Sequence, residues 1–300
     1  MKRVNLLAIF VISFGLTSLV SCTSNLTSAT DSALTTTATD EGQAASISDQ
    51  IVSSADDYTN NLDASGYQAV SYVNANSYML GVHLQSTDSL KITTDSITIT
   101  VDRPGLNDYP KVICINFGTK GVTVKRGNVL KGKVYITVSG KMTLANSTRT
   151  FTYSNFYVND NQVKGTKVVT YMGLNTSSQP YWTISANDSI IRSNGNIVTW
   201  NSQRVRTRID DNNTPLIYWD DTYSITGTSS GVNAKGVAYT AVIQDSNPLI
   251  IGGGFPYFTK GTIVITTDTK TVTIDYGDGT KDAIATATIN GVTKQFNLKK

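Results

Sequence analysis

Thr148-Arg149-Thr150-Phe151-Thr152-Tyr153-Ser154-Asn155-Phe156-Tyr157-Val158, then Asn159-Asp160-Asn161, then Val163 to Met172: the reading of this stretch decides the fold. Both runs alternate with period two and are rich in β-branched and aromatic residues, which suits pleated strands. The Asn/Asp triplet between them tolerates the positive φ of a hairpin turn. Two alternating runs joined this tightly make an antiparallel pair.

The same pattern spreads in both directions. Toward the N-terminus it predicts strands at 67–73, 78–85, 96–102, 111–117 and 131–144. Beyond 163–172 it predicts strands at 181–185, 196–200, 204–209, 215–219, 222–228, 235–244, 262–267, 271–276, 283–290 and 292–298. Asn194-Gly195, Asp210-Asp211-Asn212-Asn213 and Asn290-Gly291 supply further turns. The expected fold is all-β, an antiparallel meander of many hairpins, closing as a curved open sheet, a half-barrel or stacked sheets. Lys131-Gly132-Lys133-Val134-Tyr135-Ile136-Thr137 recurs as Lys260-Gly261-Thr262-Ile263-Val264-Ile265-Thr266, with Ser224-Ile225-Thr226-Gly227 opening a third, fainter copy. Either a repeated β module or the shared grammar of hairpins accounts for it.

Composition agrees. The 300 residues carry Lys+Arg 25 and Asp+Glu 22, and Glu41 is the only glutamate. Glutamate is a good helix former, whereas aspartate favours turns. The charge balance gives no long-range attraction to nucleic acid. One segment departs from period two. Ile47, Ile51, Ala55, Tyr58 and Leu62 recur at three-to-four spacing, which predicts one amphipathic helix at about 43–61 laying its apolar stripe on the sheet.

The N-terminus reads as an export signal: Lys2 and Arg3, then an apolar run from Leu6, then Leu19-Val20-Ser21-Cys22. That tetrad resembles a bacterial lipobox. The resemblance implies a signal peptide over 1–21, an acylated Cys22 as first mature residue, and a membrane anchor. Residues 22–42 then read as a Ser/Thr-rich tether to a single β-rich domain spanning 43–300. Asp31-Ser32-Ala33 resembles an O-glycosylation acceptor of exported Bacteroidetes proteins, which makes Ser32 the candidate glycan site. With Cys22 acylated, Cys114 has no disulfide partner, and its apolar neighbours predict a small buried hydrophobe.

Asp108-Tyr109-Pro110-Lys111, Asn155-Phe156-Tyr157-Val158-Asn159, Asp220-Asp221-Thr222-Tyr223-Ser224-Ile225-Thr226-Gly227 and Asp275-Tyr276-Gly277-Asp278-Gly279 together resemble a group of β-rich Bacteroidetes lipoproteins of unassigned function. The resemblance implies an outer-membrane lipoprotein, on its periplasmic or its surface face, and implies no catalytic residue and no cofactor.

Candidate chemistry is sparse. His83 is the only histidine, and by parity it opposes Leu80, Val82 and Leu84, which points it to solvent. One histidine and one free thiol leave no tetrahedral zinc set. Asp275, Asp278 and Asp282 could hold calcium, or simply build a Gly/Asp turn. Asp210, Asp211, Asp220 and Asp221 are the carboxylates for a hydrolase, though the pattern places the two pairs at opposite hairpin ends. Arg204, Arg206 and Arg208 line one strand face, as an anion ridge or as a solvated face paired with aspartates. Tyr218, Trp219 and Tyr223, with Asp220 and Asp221, form a candidate sugar platform, while parity assigns Trp182, Trp200 and Trp219 to packing. The leading expectation is a non-enzymatic envelope protein that binds an unknown ligand (a glycan, a lipid or another envelope protein). The alternatives are a glycan-binding accessory protein and an Asp-based hydrolase.

Overall fold

The computed structural model describes residues 23–64, 81–86, 89–93, 97–102, 109–124, 126–214, 218–268 and 270–298. One helix and seventeen strands are formed among them. The helix, α1, is Thr23–Ala64. The strands are β1 Gly81–Ser86, β2 Ser89–Thr93, β3 Thr98–Asp102, β4 Lys111–Asn116, β5 Val122–Thr123, β6 Val129–Val138, β7 Thr148–Val158, β8 Asn161–Leu174 and β9 Pro180–Ile191. Then follow β10 Ile197–Asp210, β11 Thr222–Val232, β12 Ala238–Ile243, β13 Leu249–Gly252, β14 Lys260–Thr266, β15 Thr271–Asp278, β16 Ile284–Ile289 and β17 Val292–Asn297.

Each strand pairs antiparallel with its sequence neighbour, giving the meander. There are two departures. β4 pairs past the short β5 to β6, and β12 and β13 lie end to end along β11. The hairpin Thr148 to Leu174 forms as read, with Val158 opposite Asn161. β2, β5 and β13 were not anticipated, each being short and lacking a clear alternation. The candidate at 67–73 and residues 215–217 of the candidate at 215–219 lie outside the described residues, and Tyr218 and Trp219 form no strand.

The repeated Lys-Gly pair has a structural meaning. Gly132 and Gly261 hold positive φ of 87° and 111°. Each sits at a register shift, opposite a neighbouring backbone that would lie 1.9 Å (Asn155 O) or 2.4 Å (Pro248 O) from an added Cβ. Only glycine permits so close an approach, and such bulges increase strand twist and bend the sheet.

That bending wraps the sheet around α1. Every residue of the helix from 40 to 56 is buried, on all faces and over almost five turns. This corrects the expected helix and tether. The helix does not begin near 43 with one stripe on a sheet; it is already formed at Thr23, the first described residue, and its side chains are packed from Leu34 to Thr59. Period-three spacing of apolar residues misses it because the enclosing wall is itself partly polar. A Ser/Thr-rich segment is a weak helix former, but here Thr36, Thr37, Thr39 and Thr59 each donate to the carbonyl four residues back. The hydroxyls are thereby satisfied inside the helix and can be buried. Small residues (Gly42, Ala44, Ala45, Ser46, Ala55) keep the helix slim enough for the lumen. At Gly42 a Cβ would stand 3.2 Å from the Tyr276 hydroxyl.

The lumen has two halves. β11 to β16 present Ile225, Ile243, Ile263, Ile265, Ile274 and Ala287, which pack with Ile47, Ile51 and Val52 in one core. β7 to β10 present cations instead. On β10 the outward positions Thr199, Asn201 and Gln203 are polar, alternating with buried Val198, Trp200 and Ser202, while Ile197 and Ile209 near the strand ends are exposed. Among the described residues no helix is long and apolar enough to span a membrane.

Candidate functional site

The chemically dense region is the charged half of the lumen, where four helix carboxylates meet cations of the sheet. Asp40, Glu41, Asp49 and Asp56 are each at most 4 % exposed. The helix repeat carries them down α1 in order, and strand alternation brings Arg149, Lys167, Arg204 and Arg206 inward.

At the N-terminal end of this row, Asp40 pairs with Arg192 from the β9–β10 turn and accepts the Ala234 amide at 2.7 Å. Arg192 also donates to Gln43, and Asn233 donates to Thr37 at 2.8 Å. Two hairpin turns thus clamp the helix. At the next residue, Glu41 Oε1 accepts from Ser229 at 2.6 Å and from Arg204 at 3.2 Å. Its Oε2 accepts from Trp200 Nε1 at 2.7 Å and from the Tyr239 hydroxyl at 3.0 Å. Burial raises the Glu41 carboxyl pKa above the ordinary range, against the opposing pull of Arg204 and the three neutral donors. Burial likewise lowers Arg204 below the usual arginine value.

Lys167, fully buried on β8, donates to the helix carbonyl of Ser48 at 2.8 Å and lies 3.6 Å from Asp188 on β9. Desolvation pushes the Lys167 pKa down and the Asp188 pKa up, each opposed by the other's charge. Deeper along the helix, Asp56 takes Arg149 on one oxygen and Arg206 on the other, the latter at 2.8 Å. Burial alone would raise the Asp56 pKa, but the two guanidiniums together hold it below the ordinary value. Arg206 also donates to Ser53 at 2.9 Å, lies 3.4 Å from Asp49, and stacks 3.5 Å above the Tyr223 ring.

The expected arginine ridge exists as one face, but that face is internal. Arg204 and Arg206 are neither solvated nor open to a phosphate, because α1 supplies their counter-charges. Arg208, at the lumen's end, reaches Asp221 at 3.5 Å. The sugar platform comes apart in the same way. Tyr223 is 1 % exposed and donates to Asp221 at 2.9 Å. Asp220 is tied to Asn212 and Thr214. Trp219 lies against Gly254 and is half-buried, as is Tyr218. Trp200 is core, as parity indicated.

Asp210 and Asp211 stand at the same end of the sheet as Asp220 and Asp221, not opposite, since Asp210 pairs with Thr222. Both accept amides two residues ahead and act as turn acceptors. Asp275, Asp278 and Asp282 do likewise, toward Gly277, Thr280 and Ile284. Among the described residues no group of three or more His, Cys, Asp or Glu is placed to hold a metal. Cys114 points to the outer face and is half-buried, not a core residue. Ser32 is exposed on α1, with Lys235 donating to its hydroxyl at 3.0 Å. The side chain of His83 and all of Cys22 lie outside the described residues.

Sequence reasoning missed Asp40, Glu41, Asp49, Asp56, Arg149, Lys167, Arg192 and Asp188. A signal was present. Arg204 and Arg206 share parity with Val198 and Trp200, and Arg149 with Phe151, so the cations fall on the face already assigned to the core.

Among the described residues one small cavity opens beside the helix. A cavity of about 10 Å³, room for a single water, is lined by Gln43, Ser46, Ile47, Gln50, Asn159, Asn161, Tyr257 and Leu298. Ser46 Oγ and Gln50 Oε1 lack a protein partner there. Residues from the β7–β8 turn and from the end of the chain meet at this point, so the sheet curls back on itself over the helix. No protein-family model, no curated protein and no solved structure matches the chain.

Proposed function

We propose that the protein is a non-enzymatic, lipid-anchored envelope protein whose N-terminal helix joins a membrane anchor at Cys22 to the middle of a rigid β module. The observation that carries this reading is the fate of the buried ionisable groups. The carboxylates and arginines that would do acid–base or anion chemistry are spent on one another around α1, out of reach of a substrate. A second support is continuity: α1 is helical from the first described residue, Thr23, next in sequence to the lipobox-like cysteine, and side-chain packing starts at Leu34. The intervening helical segment spans roughly 16 Å at about 1.5 Å per residue. A load on the anchor would then pass into the helix and its ion pairs rather than into a slack linker.

The filled lumen argues against carriage of a lipid in the concave face. Ligands or partners would instead engage the polar outer face or the loops. The glycan-binding alternative keeps Tyr218 and Trp219, both half-exposed, but loses Tyr223 and Asp221 to the interior. Fractionation of cells expressing Cys22→Ala tests the anchor: the variant should leave the membrane fraction. A hydrolase substrate panel on the purified domain tests the rest, and turnover removed by an aspartate change would overturn the non-enzymatic reading.

A further inference from the structure

Lumen arginines face carboxylates of α1: Arg149 and Arg206 face Asp56, Arg192 faces Asp40, and Arg204 faces Glu41. Arg126 breaks the rule. It lies between β5 and β6, is 3 % exposed, and among the described residues meets no carboxylate. Its Nη2 donates to the Tyr218 carbonyl at 3.0 Å, while Nε and Nη1 have no partner among the described residues.

A guanidinium cannot escape this position by losing its proton. A buried cation without a counter-charge is strongly unfavourable, so an anion is the missing component. The same turn carries a second unused donor. Asn128 is 2 % exposed; its Oδ1 accepts from Asn159, and its Nδ2 has no partner. The turn is fixed, with Gly127 N donating to the Val124 carbonyl at 2.7 Å and Val124 N to the Asn128 carbonyl at 2.8 Å. Both side chains therefore spring from a preformed loop. Free N–H groups on two different nitrogens of Arg126 suit an acceptor with several oxygens rather than a single-centre halide.

We infer that the β5–β6 turn is a binding site for a small oxyanion, held by Arg126 with Asn128 in support. The oxyanion is either free phosphate or sulfate, or a carboxylate carried on a larger ligand. This site is separate from the arginines of β10, whose charges are already met, and it does not rest on the membrane reading.

The test uses the purified full chain, in a zwitterionic buffer at constant ionic strength. Thermal unfolding and titration calorimetry are run with phosphate, sulfate, acetate and chloride. Phosphate or sulfate should raise the midpoint above chloride if the anion is free, and acetate should do so if the native group is a carboxylate. Arg126→Gln should weaken the responding anion at least tenfold, and without oxyanion it should be no less stable than the parent. If Arg126→Gln fails to fold, Arg126→Lys decides, since it keeps the charge and loses the planar donor set; its affinity should still fall. Equal responses in parent and variants, or no oxyanion response beyond chloride, would overturn the site.

Discussion

Glu41 is the sharpest place to perturb the molecule, because one side chain joins the helix to three strands. Glu41→Ala strands the Arg204 guanidinium in the lumen and removes the acceptor of Trp200, Ser229 and Tyr239 together. Breaking a buried ion pair by deleting one partner costs about 3–5 kcal/mol. Each buried donor left unmade adds about 1–3 kcal/mol, less than additively since water can enter the space. A loss of about 4–6 kcal/mol is expected, a large part of the 5–15 kcal/mol typical of a whole domain, by order of magnitude. Glu41→Gln should cost less, because the amide keeps one acceptor oxygen and the shape of the side chain, although Arg204 still loses its counter-charge. Glu41→Leu combined with Arg204→Met should recover much of the single-variant loss, since replacing both partners by apolar groups leaves no orphan charge. Urea unfolding followed by tryptophan fluorescence measures all three, with Trp200 reporting at the site itself. A Glu41→Ala cost below about 1 kcal/mol, or a double variant no better than Glu41→Leu, would refute the claim that this carboxylate fastens helix to sheet.

Further outcomes follow from the same geometry. Burial raises the Asp221 carboxyl to about 6, against Tyr223 and Arg208, which act to lower it. A carboxyl raised on folding contributes stability that is complete below its unfolded value and lost as pH rises through the folded one. Stability should therefore decline between about pH 4 and 6, and Asp221→Asn should flatten that part of the curve in denaturant titrations. Gly165→Ala would place a Cβ 2.1 Å from the Asn187 carbonyl at a φ of 130°; a loss of at least about 2 kcal/mol by thermal unfolding is expected. Lys167→Met should cost about 3 kcal/mol by leaving Asp188 buried and unpaired, and Lys167→Met with Asp188→Leu should cost less.

How much of this is legible in the sequence depends on whether the signal is local. The hairpin from Thr148 to Leu174 was readable because alternation, β-propensity and an Asn/Asp turn agree over two dozen residues. The helix was readable only in part. Ile47, Ile51 and Ala55 mark one face, but Ser46, Asp49, Ser53 and Asp56 are just as buried, and no local pattern announces a polar face that meets a polar wall. The arginines show the same limit. Their alternation was plain, yet whether a charged face points to water or into a lumen depends on what fills that lumen. The filler is a segment over a hundred residues earlier in the chain. Cys114 failed for a simpler reason: in a strand bounded by apolar residues on both faces, parity relative to Ile113 and Ile115, not composition, decided its side.

The central claim is that α1 is the core around which the sheet is built. Site-resolved amide hydrogen exchange tests it most directly. An isolated helix this rich in Ser, Thr and Asp would exchange almost as freely as coil. Enclosed as described, the amides of residues 42–56 should exchange only through global unfolding, with the same free energy as the central strands β8 to β10. Exchange of those helix amides orders of magnitude faster than that of β8 to β10 would contradict the account.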